Sequence, residues 1–433
     1  MKNSSAKKWI TLLVLCAGGG VIYRLPYLRE VFYIPMQNAF HFNNFQMGFL
    51  TSMYGIVNFL LYIPGGVIAD KFSYKILVPF SLIATGLLGF WYATIPSYTV
   101  CLIINGAWAV TTVFTFWPTM VKAVRMLGDS SEQGKLFGFL EGGRGVASTI
   151  VSFIALGMLS KFGEGLFGIK SIIIFYSITL IVIGIVAYFL LDDSQEEREK
   201  DHEAKDAIIR GIKKVVKMPE VWLAAALVFT TYAAFSGLAF LTPFVTDIFK
   251  MSVTVGAFIG IIRSYVIMSL APPLAGVVAD KMKSTIKFMI YGFILSIIFT
   301  AIYIVIPGKT SFIVPVLINM LVLSIVLLGM KGVFFAPLDE IQVPRKYTGI
   351  AAGIVSFIGY VPDMFINSYY GSLLDKYPGL SGYKLIFASM VGLCVIGLVC
   401  GIVLYRMVYN RRKIKEIDEG ISEVVEEEVI EKA

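Results

Sequence analysis

The chain has 433 residues, of which 57% are hydrophobic and 15% are charged. A soluble domain has about 45–50% apolar and about 25% charged residues, so these totals exclude an ordinary soluble domain and indicate a chain whose outer surface faces hydrocarbon. The formal net charge of +8 does not indicate nucleic-acid binding, because the distribution of Lys and Arg among the loops explains it better.

Hydrophobic runs along the chain predict about twelve membrane-spanning helices, since a run of about 18 residues or more can cross a bilayer core of about 30 Å as a helix. The first six runs cover residues 9–37, 45–69, 75–94, 99–122, 136–160 and 169–191. The last six cover residues 219–246, 253–279, 286–306, 311–337, 349–374 and 383–407. The predicted fold class is therefore an all-α membrane protein.

A highly charged segment, residues 192–218, separates the two sets of six runs and cannot lie in lipid. The sequence therefore predicts an N-terminal six-helix bundle over 1–191, a linker over 192–218, a C-terminal bundle over 219–407 and a tail over 408–433. The tail is basic first and acidic afterwards, which is typical of either a solvated helix or a disordered end.

The loops predict the orientation. If the N-terminus is cytoplasmic, the cytoplasmic segments hold 26 of the 37 Lys and Arg residues, the opposite loops hold six and the predicted helices hold five. Cytoplasmic loops carry the excess of Lys and Arg in membrane proteins. Both termini are therefore predicted to be cytoplasmic, in a multi-pass protein of the inner or plasma membrane.

Two similar loop segments follow the second and the eighth predicted helix, "PGGVIADKFSYK" at 64–75 and "PLAGVVADKMKS" at 273–284. The first resembles the loop motif G-x-x-x-D-R/K-x-G-x-R/K-R/K of the major facilitator superfamily, and the likeness extends over 1–407. Ser73 and Tyr74 depart from that motif. The positions that match it or its second copy are Gly66, Asp70, Lys71, Lys75, Asp280 and Lys281.

This resemblance implies two pseudo-symmetric six-helix bundles with a substrate cavity between them. It also implies a cytoplasmic latch, in which Asp70 lies near the start of the eleventh helix and Asp280 near the start of the fifth. A carboxylate there would be stabilised by the exposed N–H groups and the helix dipole. Alternatively, the two aspartates only mark the ends of loops.

The fifth predicted helix reads "GKLFGFLEGGRGVASTI". Drug–proton antiporters of the superfamily carry G-x-x-x-G-P-x-x-G-G in this helix, whereas this chain lacks the proline and contains Arg144, which disfavours multidrug export. Glu141 and Arg144 are three residues apart and therefore share one helix face. They are expected to pair with each other or with Arg125 as part of an inner gate.

Two arginines lie deep in predicted helices. At 1.5 Å per residue, Arg24 lies about 24 Å beyond Lys8, and Arg263 lies about 15 Å from Val253. An arginine near the bilayer centre costs about 2.5–3.5 kcal/mol on insertion scales, so it is expected to face a cavity, a counter-charge or a ligand. One arginine from each half would form a clamp for an anion. In the alternative, Arg24 pairs with Asp363 inside the protein.

Asp363 is predicted to act either as this counter-charge or as a proton-coupling site. Arg29 is expected at the membrane interface, paired with Glu30. Five tyrosines are candidates for lining the same cavity, although any one of them could simply pack: Tyr23, Tyr27, Tyr232, Tyr265 and Tyr360.

The predicted function is secondary active transport of a small organic anion by alternating access, coupled to proton symport or anion exchange. The alternatives are a carrier of a neutral or zwitterionic solute such as a sugar or peptide, an efflux pump, and a receptor built on a transporter scaffold. The sequence contains no Walker loop and no catalytic triad, so no enzyme activity, cofactor or metal is predicted. The expected partners are the substrate, protons and membrane lipid, and the expected state is a monomer.

Overall fold

The computed structural model describes residues 2–128, 132–191, 212–341, 343 and 347–431. Within these ranges, the side chains of 2–6, 62, 63, 66, 67, 69, 70, 134 and 411–431 lie outside the description. Every regular element in the described residues is helical, which confirms the predicted all-α class. Most of the predicted linker lies in the undescribed range 192–211.

The helices before residue 192, here the first half, form from the predicted apolar runs and from recognisable N-caps at Asn43 and Ser73. They are α1 Lys2–Val21, α2 Arg29–Phe40, α3 Asn44–Lys71, α4 Tyr74–Ala93, α5 Tyr98–Ala109, a π-helical segment Val110–Phe116, α6 Trp117–Arg125, α7 Gln133–Phe162 and α8 Leu166–Leu190.

The helices after residue 211, here the second half, repeat this plan with caps at Ser252 and Ser284. They are α9 Pro219–Gly237, a 3₁₀ turn Leu238–Phe240, α10 Leu241–Asp247, α11 Val253–Ile261, a π-helical segment Ile262–Ile267, α12 Met268–Lys281, α13 Thr285–Val305, a 3₁₀ turn Thr310–Phe312, α14 Ile313–Val333, α15 Pro337–Glu340, α16 Thr348–Gly359, a 3₁₀ turn Val361–Met364, α17 Ile366–Lys376 and α18 Leu380–Glu431.

Ten helical stretches in the described residues are long and apolar enough to cross a membrane. They start at Tyr74 and end at Asn410, and α1, α2 and α3 precede them. Many of their large apolar side chains point outward: Phe189 and Val305, for example, are 77% and 76% exposed. Such an apolar exterior is expected where lipid replaces water. The last helix continues to Glu431, beyond the predicted end at 407.

The predicted helix over 9–37 is wrong as a single helix. It ends at Val21, and residues 22–28 form successive turns before α2 begins at Arg29. Pro26 lies inside this interruption and supplies no N–H donor, so the helical ladder is not continued through it. The predicted helix over 349–374 is likewise interrupted, by the 3₁₀ turn that contains Pro362 and Asp363.

The two halves meet closely at one end of the bundle, here the Asp375 face. Gly48 of α3 lies against the backbone of Asn367, and Gly371 of α17 lies against the backbone of Asn44, so an added Cβ at either glycine would lie only 2.1 Å from a carbonyl oxygen. Phe153 and Phe258 also pack across the halves, with ring centroids 5.7 Å apart.

The opposite end of the bundle is here called the Lys71 face. Among the described residues, no atom lies within 4 Å of a Cβ added to five glycines there: Gly138, Gly142, Gly276, Gly349 and Gly353. Contacts between the halves do extend toward this end, because a Cβ added to Gly145 of α7 would lie against the side chain of Ser269 of α12. Direct contact between the backbones of the halves is seen at the Asp375 face.

Packing inside the first half also depends on a small residue. Gly86 of α4 lies against α8, and a Cβ there would lie 2.7 Å from the carbonyl oxygen of Ser177. We expect Gly86→Val to lower the free energy of unfolding by about 1–3 kcal/mol through overpacking, measured as thermal unfolding of the purified protein in detergent. Gly157→Val is the matched control, because no atom lies within 4 Å of its added Cβ. Equal melting temperatures for the two variants would contradict this packing.

Candidate functional site

A polar cavity lies between the two halves. The volume of this cavity is about 40 Å³. Such a cavity holds a few water molecules and is too small for an organic solute. A solute could therefore enter only if the halves moved. The first half contributes lining residues from the turns before α2, from α2 and from α3. The second half contributes lining residues from α9, α12, α14 and α17, from the 3₁₀ turns 238–240 and 361–364 and from the π-helical segment 262–267. The lining residues are Tyr27, Arg29, Glu30, Thr51, Tyr232, Phe235, Ser236, Ala239, Arg263, Ser264, Met268, Leu328, Asp363 and Asn367.

Arg29 is the cation that the first half contributes to this lining. It is only 3% exposed, and its Nη2 donates to Oδ1 of Asn367 in the second half. Its guanidinium carbon lies 5.4 Å from the centroid of the Phe240 ring. Among the described residues, Nε and Nη1 have no hydrogen-bond partner and are buried. Arg29 therefore lies at the boundary between the halves, and the expected ion pair with Glu30 does not occur in the described part of the chain.

Arg263 is the cation that the second half contributes. It lies in the π-helical segment Ile262–Ile267, a type of irregularity that often occurs at functional sites. Its Nη2 donates to the backbone oxygen of Glu30 at 3.1 Å, while its Nε is buried without a partner. Arg263 therefore reaches across the boundary between the halves.

Arg24 lies behind the lining. Its guanidinium carbon is 4.0 Å from the centroid of the Tyr265 ring, and its Nε and Nη1 are buried without a hydrogen-bond partner. Arg24 forms no ion pair with Asp363 in the described part of the chain, so the predicted internal pairing does not occur in this structure. Arg29 and Arg263 both line the cavity. Arg24 lies outside the lining, over the ring of Tyr265.

Asp363 lies in the lining and accepts a hydrogen bond of 2.7 Å from the hydroxyl of Tyr232. Tyr232 also packs edge-to-face against Tyr360, with centroids 4.9 Å apart. Lys331 of α14 lies close by, with its ammonium 3.7 Å from the centroid of the Phe235 ring. The hydroxyl of Tyr232 therefore holds the carboxylate of Asp363. Asp363 has no arginine partner among the described residues.

The two remaining tyrosine candidates are arranged differently. Tyr27 lines the cavity and packs edge-to-face on Tyr54 at 5.3 Å. Tyr23 lies outside the lining and donates to the backbone oxygen of Thr112 at 3.4 Å. Of the five predicted tyrosines, Tyr27 and Tyr232 line the cavity, whereas Tyr23, Tyr265 and Tyr360 lie behind it.

The predicted pairing of Glu141 with Arg144 is confirmed, while Arg125 is exposed elsewhere. The Nε of Arg144 donates to the backbone oxygen of Gly19 at 3.3 Å, and the guanidinium carbon lies 5.1 Å from the centroid of the Trp117 ring. Because all these partners belong to the first half, Arg144 joins α7 to α1 and α6. It makes no hydrogen bond or ion pair with a described residue of the second half in this conformation, so its part in an inner gate stays a prediction.

The loop-motif residues show no closed latch. Asp280 and Lys281 are exposed, and the Asp280 carboxylate makes no hydrogen bond to any described residue. Lys71 is exposed and Lys75 is half-buried. Gly66 and Asp70 lie outside the residues whose side chains are described.

Three comparisons with known proteins agree with this fold. A family model described as Major Facilitator Superfamily matches residues 30–366. Inner membrane protein YihN of Escherichia coli (strain K12) is 38% identical over 415 residues, which cover 94% of this chain and 97% of that protein. Inner membrane protein YqcE of the same organism is 30% identical over 403 residues, 92% of this chain and 94% of that protein.

A solved structure of a bacterial homolog of the human lysosomal transporter Spinster, in an inward-facing and unoccupied conformation, matches with a TM-score of 0.71. It is 13% identical and covers 93% of this chain and 98% of that one, so it supports the fold alone. Together the matches confirm the predictions of a multi-pass inner membrane protein and of a transporter rather than an enzyme.

The contact between Arg29 and Asn367 can be tested by its contribution to stability. Asn367→Leu leaves a further buried guanidinium donor without a partner, so we expect a loss of about 1–3 kcal/mol in the free energy of unfolding. Thermal unfolding of the protein in detergent measures it. Asn410→Leu is the control. Asn410 is exposed, so this variant should unfold at the same temperature as the wild type. A melting temperature of Asn367→Leu equal to that control would show that Arg29 does not depend on Asn367.

Proposed function

Because the chain belongs to the major facilitator superfamily, we propose that this membrane transporter moves a small organic anion by alternating access through the cavity between its halves. The proposal includes twelve membrane-spanning helices, with the broken stretch over 2–40 and α3 added to the ten apolar ones. The two bundles are taken as 1–191 and 219–407, joined by the linker 192–218 and followed by the tail 408–433.

The observation that supports an anionic substrate is the set of guanidinium donors without acceptors. Nε and Nη1 of Arg29 and Nε of Arg263 are buried at the cavity, and Nε and Nη1 of Arg24 lie adjacent. A buried donor without a partner costs about 1–3 kcal/mol, and more when it is charged. A carboxylate, phosphate or sulfonate would satisfy several of these donors with short charge-assisted hydrogen bonds.

The charges around the cavity also favour an anion. The lining itself holds two cations and two carboxylates, Arg29 and Arg263 against Glu30 and Asp363. Lys331 and Arg24 lie directly behind the lining and leave a positive excess. Since the carboxylates make no ion pair with these arginines in the described chain, an incoming anion would not have to break one.

The packing of the halves supports an inward-facing state. The backbones of the halves are in direct contact at Gly48 and Gly371 on the Asp375 face, whereas five glycines at the Lys71 face have no neighbour within 4 Å among the described residues. The distribution of Lys and Arg, 26 against six, supports a cytoplasmic Lys71 face. Asp280 makes no hydrogen bond to a described residue, which fits the same state, because the cytoplasmic latch would form only when that face closes.

Two modes of coupling remain within the proposal, proton symport and anion exchange. In symport, Asp363 would carry the proton while Tyr232 holds its carboxylate. In exchange, Asp363 would act as the charge that occupies the cavity's cations between substrates. The position of Asp363 in the lining supports a direct role in either mode. Its lack of an arginine partner among the described residues favours proton symport, because the exchange role needs such a pair.

A neutral or zwitterionic solute is the second candidate. The equal numbers of cations and carboxylates in the lining favour it, because they would bind the two ends of a zwitterion. An efflux pump is a weaker candidate, since α7 lacks the proline of the antiporter pattern.

The anion proposal predicts the behaviour of Arg29→Gln and Arg263→Gln. Each change removes charge-assisted hydrogen bonds worth about 1.5–3 kcal/mol, so the affinity for an anion should fall roughly 10- to 100-fold. The measurement is a thermal-shift titration of the purified protein with carboxylates, phosphate monoesters, sulfonates and neutral sugars. The control is Arg406→Gln, an exposed arginine. Stabilisation by a neutral sugar alone, or anion shifts unchanged in both variants, would overturn the proposal.

Asp363→Asn separates the two modes of coupling. Removing a negative charge from the lining should strengthen anion binding on the order of tenfold if Asp363 competes with the substrate for the cations. The same titration measures this. An unchanged affinity together with uptake that no longer depends on pH would assign proton coupling to Asp363 instead.

A further inference from the structure

A carboxylate of the second half caps a helix of the first half at the Asp375 face. One oxygen of Asp375 accepts hydrogen bonds from the backbone N–H of Asn44 at 3.0 Å and from its side-chain amide at 2.9 Å. The other oxygen accepts from the backbone N–H of Phe45 at 2.7 Å. Asn44 and Phe45 are the first two residues of α3, so Asp375 binds the free N–H groups at that N-terminus.

A carboxylate of the first half does the same to a helix of the second half. Glu164 lies between α7 and α8, and its Oε1 accepts from the backbone N–H of Thr254 at 3.0 Å and from the Thr254 hydroxyl at 2.8 Å. Thr254 is the second residue of α11. The two contacts therefore run in opposite directions across the same boundary.

Their positions in the sequence are equivalent. Asn44 and Thr254 are 210 residues apart, the same interval that separates Asp70 from Asp280 in the two loop motifs. Asp375 and Glu164 are 211 residues apart. Each half thus supplies one capping carboxylate and one capped helix.

We propose that Asp375 and Glu164 form a paired latch that holds the halves together at the Asp375 face and that opens when the transporter turns its cavity toward that face. Each carboxylate is stabilised by the exposed N–H groups and the dipole of the opposite half's helix. Separation of the halves would expose both helix termini and both carboxylates to water, which can replace the lost hydrogen bonds.

The exposure of both carboxylates limits the effect of each contact, because solvent screens it. A weak latch suits a transporter, since the two states must differ little in free energy for both to be populated. Two weak contacts acting on one equilibrium add their free energies, so their effects on the populations multiply.

Labelling of a cysteine at residue 52 tests the latch. Ser52 is fully buried at the boundary, with its hydroxyl 3.3 Å from that of Ser368 in α17, so Ser52→Cys should react with a maleimide only while the Asp375 face is open. In the purified full-length protein, we expect Asp375→Ala and Glu164→Ala each to raise the labelling rate about two- to fivefold. The double variant should show the product of the two factors. Asp375→Asn, which keeps one oxygen acceptor, should fall between the wild type and Asp375→Ala.

Two controls distinguish opening from general loosening of the fold. Asp339→Ala removes an exposed aspartate whose side chain makes no hydrogen bond to a described residue, and it should leave the labelling rate unchanged. All variants carry Cys400→Ala, because Cys400 is only half-buried, and the latch variants without Ser52→Cys should then stay unlabelled, because the native Cys16, Cys101 and Cys394 are buried.

An unchanged rate at residue 52 in the double Ala variant would overturn the latch. So would labelling of Cys101 or Cys394 at the same rate as residue 52, because that result would mean unfolding. Neither result depends on the chemistry of the substrate, so the latch can fail while the anion proposal stands, and the reverse holds as well.

Discussion

Inside hydrocarbon, every backbone polar group and every charge needs a partner within the protein, and irregular backbone is tolerated only where it lines a cavity or is buried in protein. This constraint accounts for where the charges of this chain lie. Arg24 lies in the turns between α1 and α2, Arg263 lies in a π-helical segment, and Asp363 lies in a 3₁₀ turn. The interrupted helices come together at the boundary between the halves, so the boundary contains both the irregular backbone and the charges.

Aromatic rings offset part of the desolvation cost of the buried arginines. Arg24 lies over Tyr265 and Arg29 lies near Phe240. A desolvated cation over an aromatic face gains about 2 kcal/mol, and a ring accepts no conventional hydrogen bond from the guanidinium. A carboxylate in the same place would occupy the N–H donors. The rings therefore stabilise the cations and leave Nε and Nη1 of Arg24 and Arg29 without an acceptor among the described residues.

Hydrophobic runs are sufficient to predict the ten apolar helical stretches between Tyr74 and Asn410, because runs long enough to span a bilayer have few other interpretations. They are not sufficient to predict the interruptions. The π-helical segment "VTTVFTF" has an ordinary composition, and Pro26 alone does not reveal that the chain leaves the helix at residue 22. A depth counted at 1.5 Å per residue requires one continuous helix, so the count for Arg24 does not hold where the chain forms turns at residues 22–28. The pairing of Glu141 with Arg144 was predictable because it depends only on helical spacing.

The site and the boundary between the halves are the same region of the molecule, and this links binding to movement. Arg29 bonds to Asn367 and Arg263 bonds to the backbone of Glu30, so each cation already holds the opposite half through one of its N–H groups. A ligand that engaged the remaining groups of both arginines would add to the attraction between the halves at mid-depth, while the helix caps act at one face only. Contacts outside the cavity therefore decide which face of the transporter is closed. The same arginines can line the cavity in the inward-facing and in the outward-facing state.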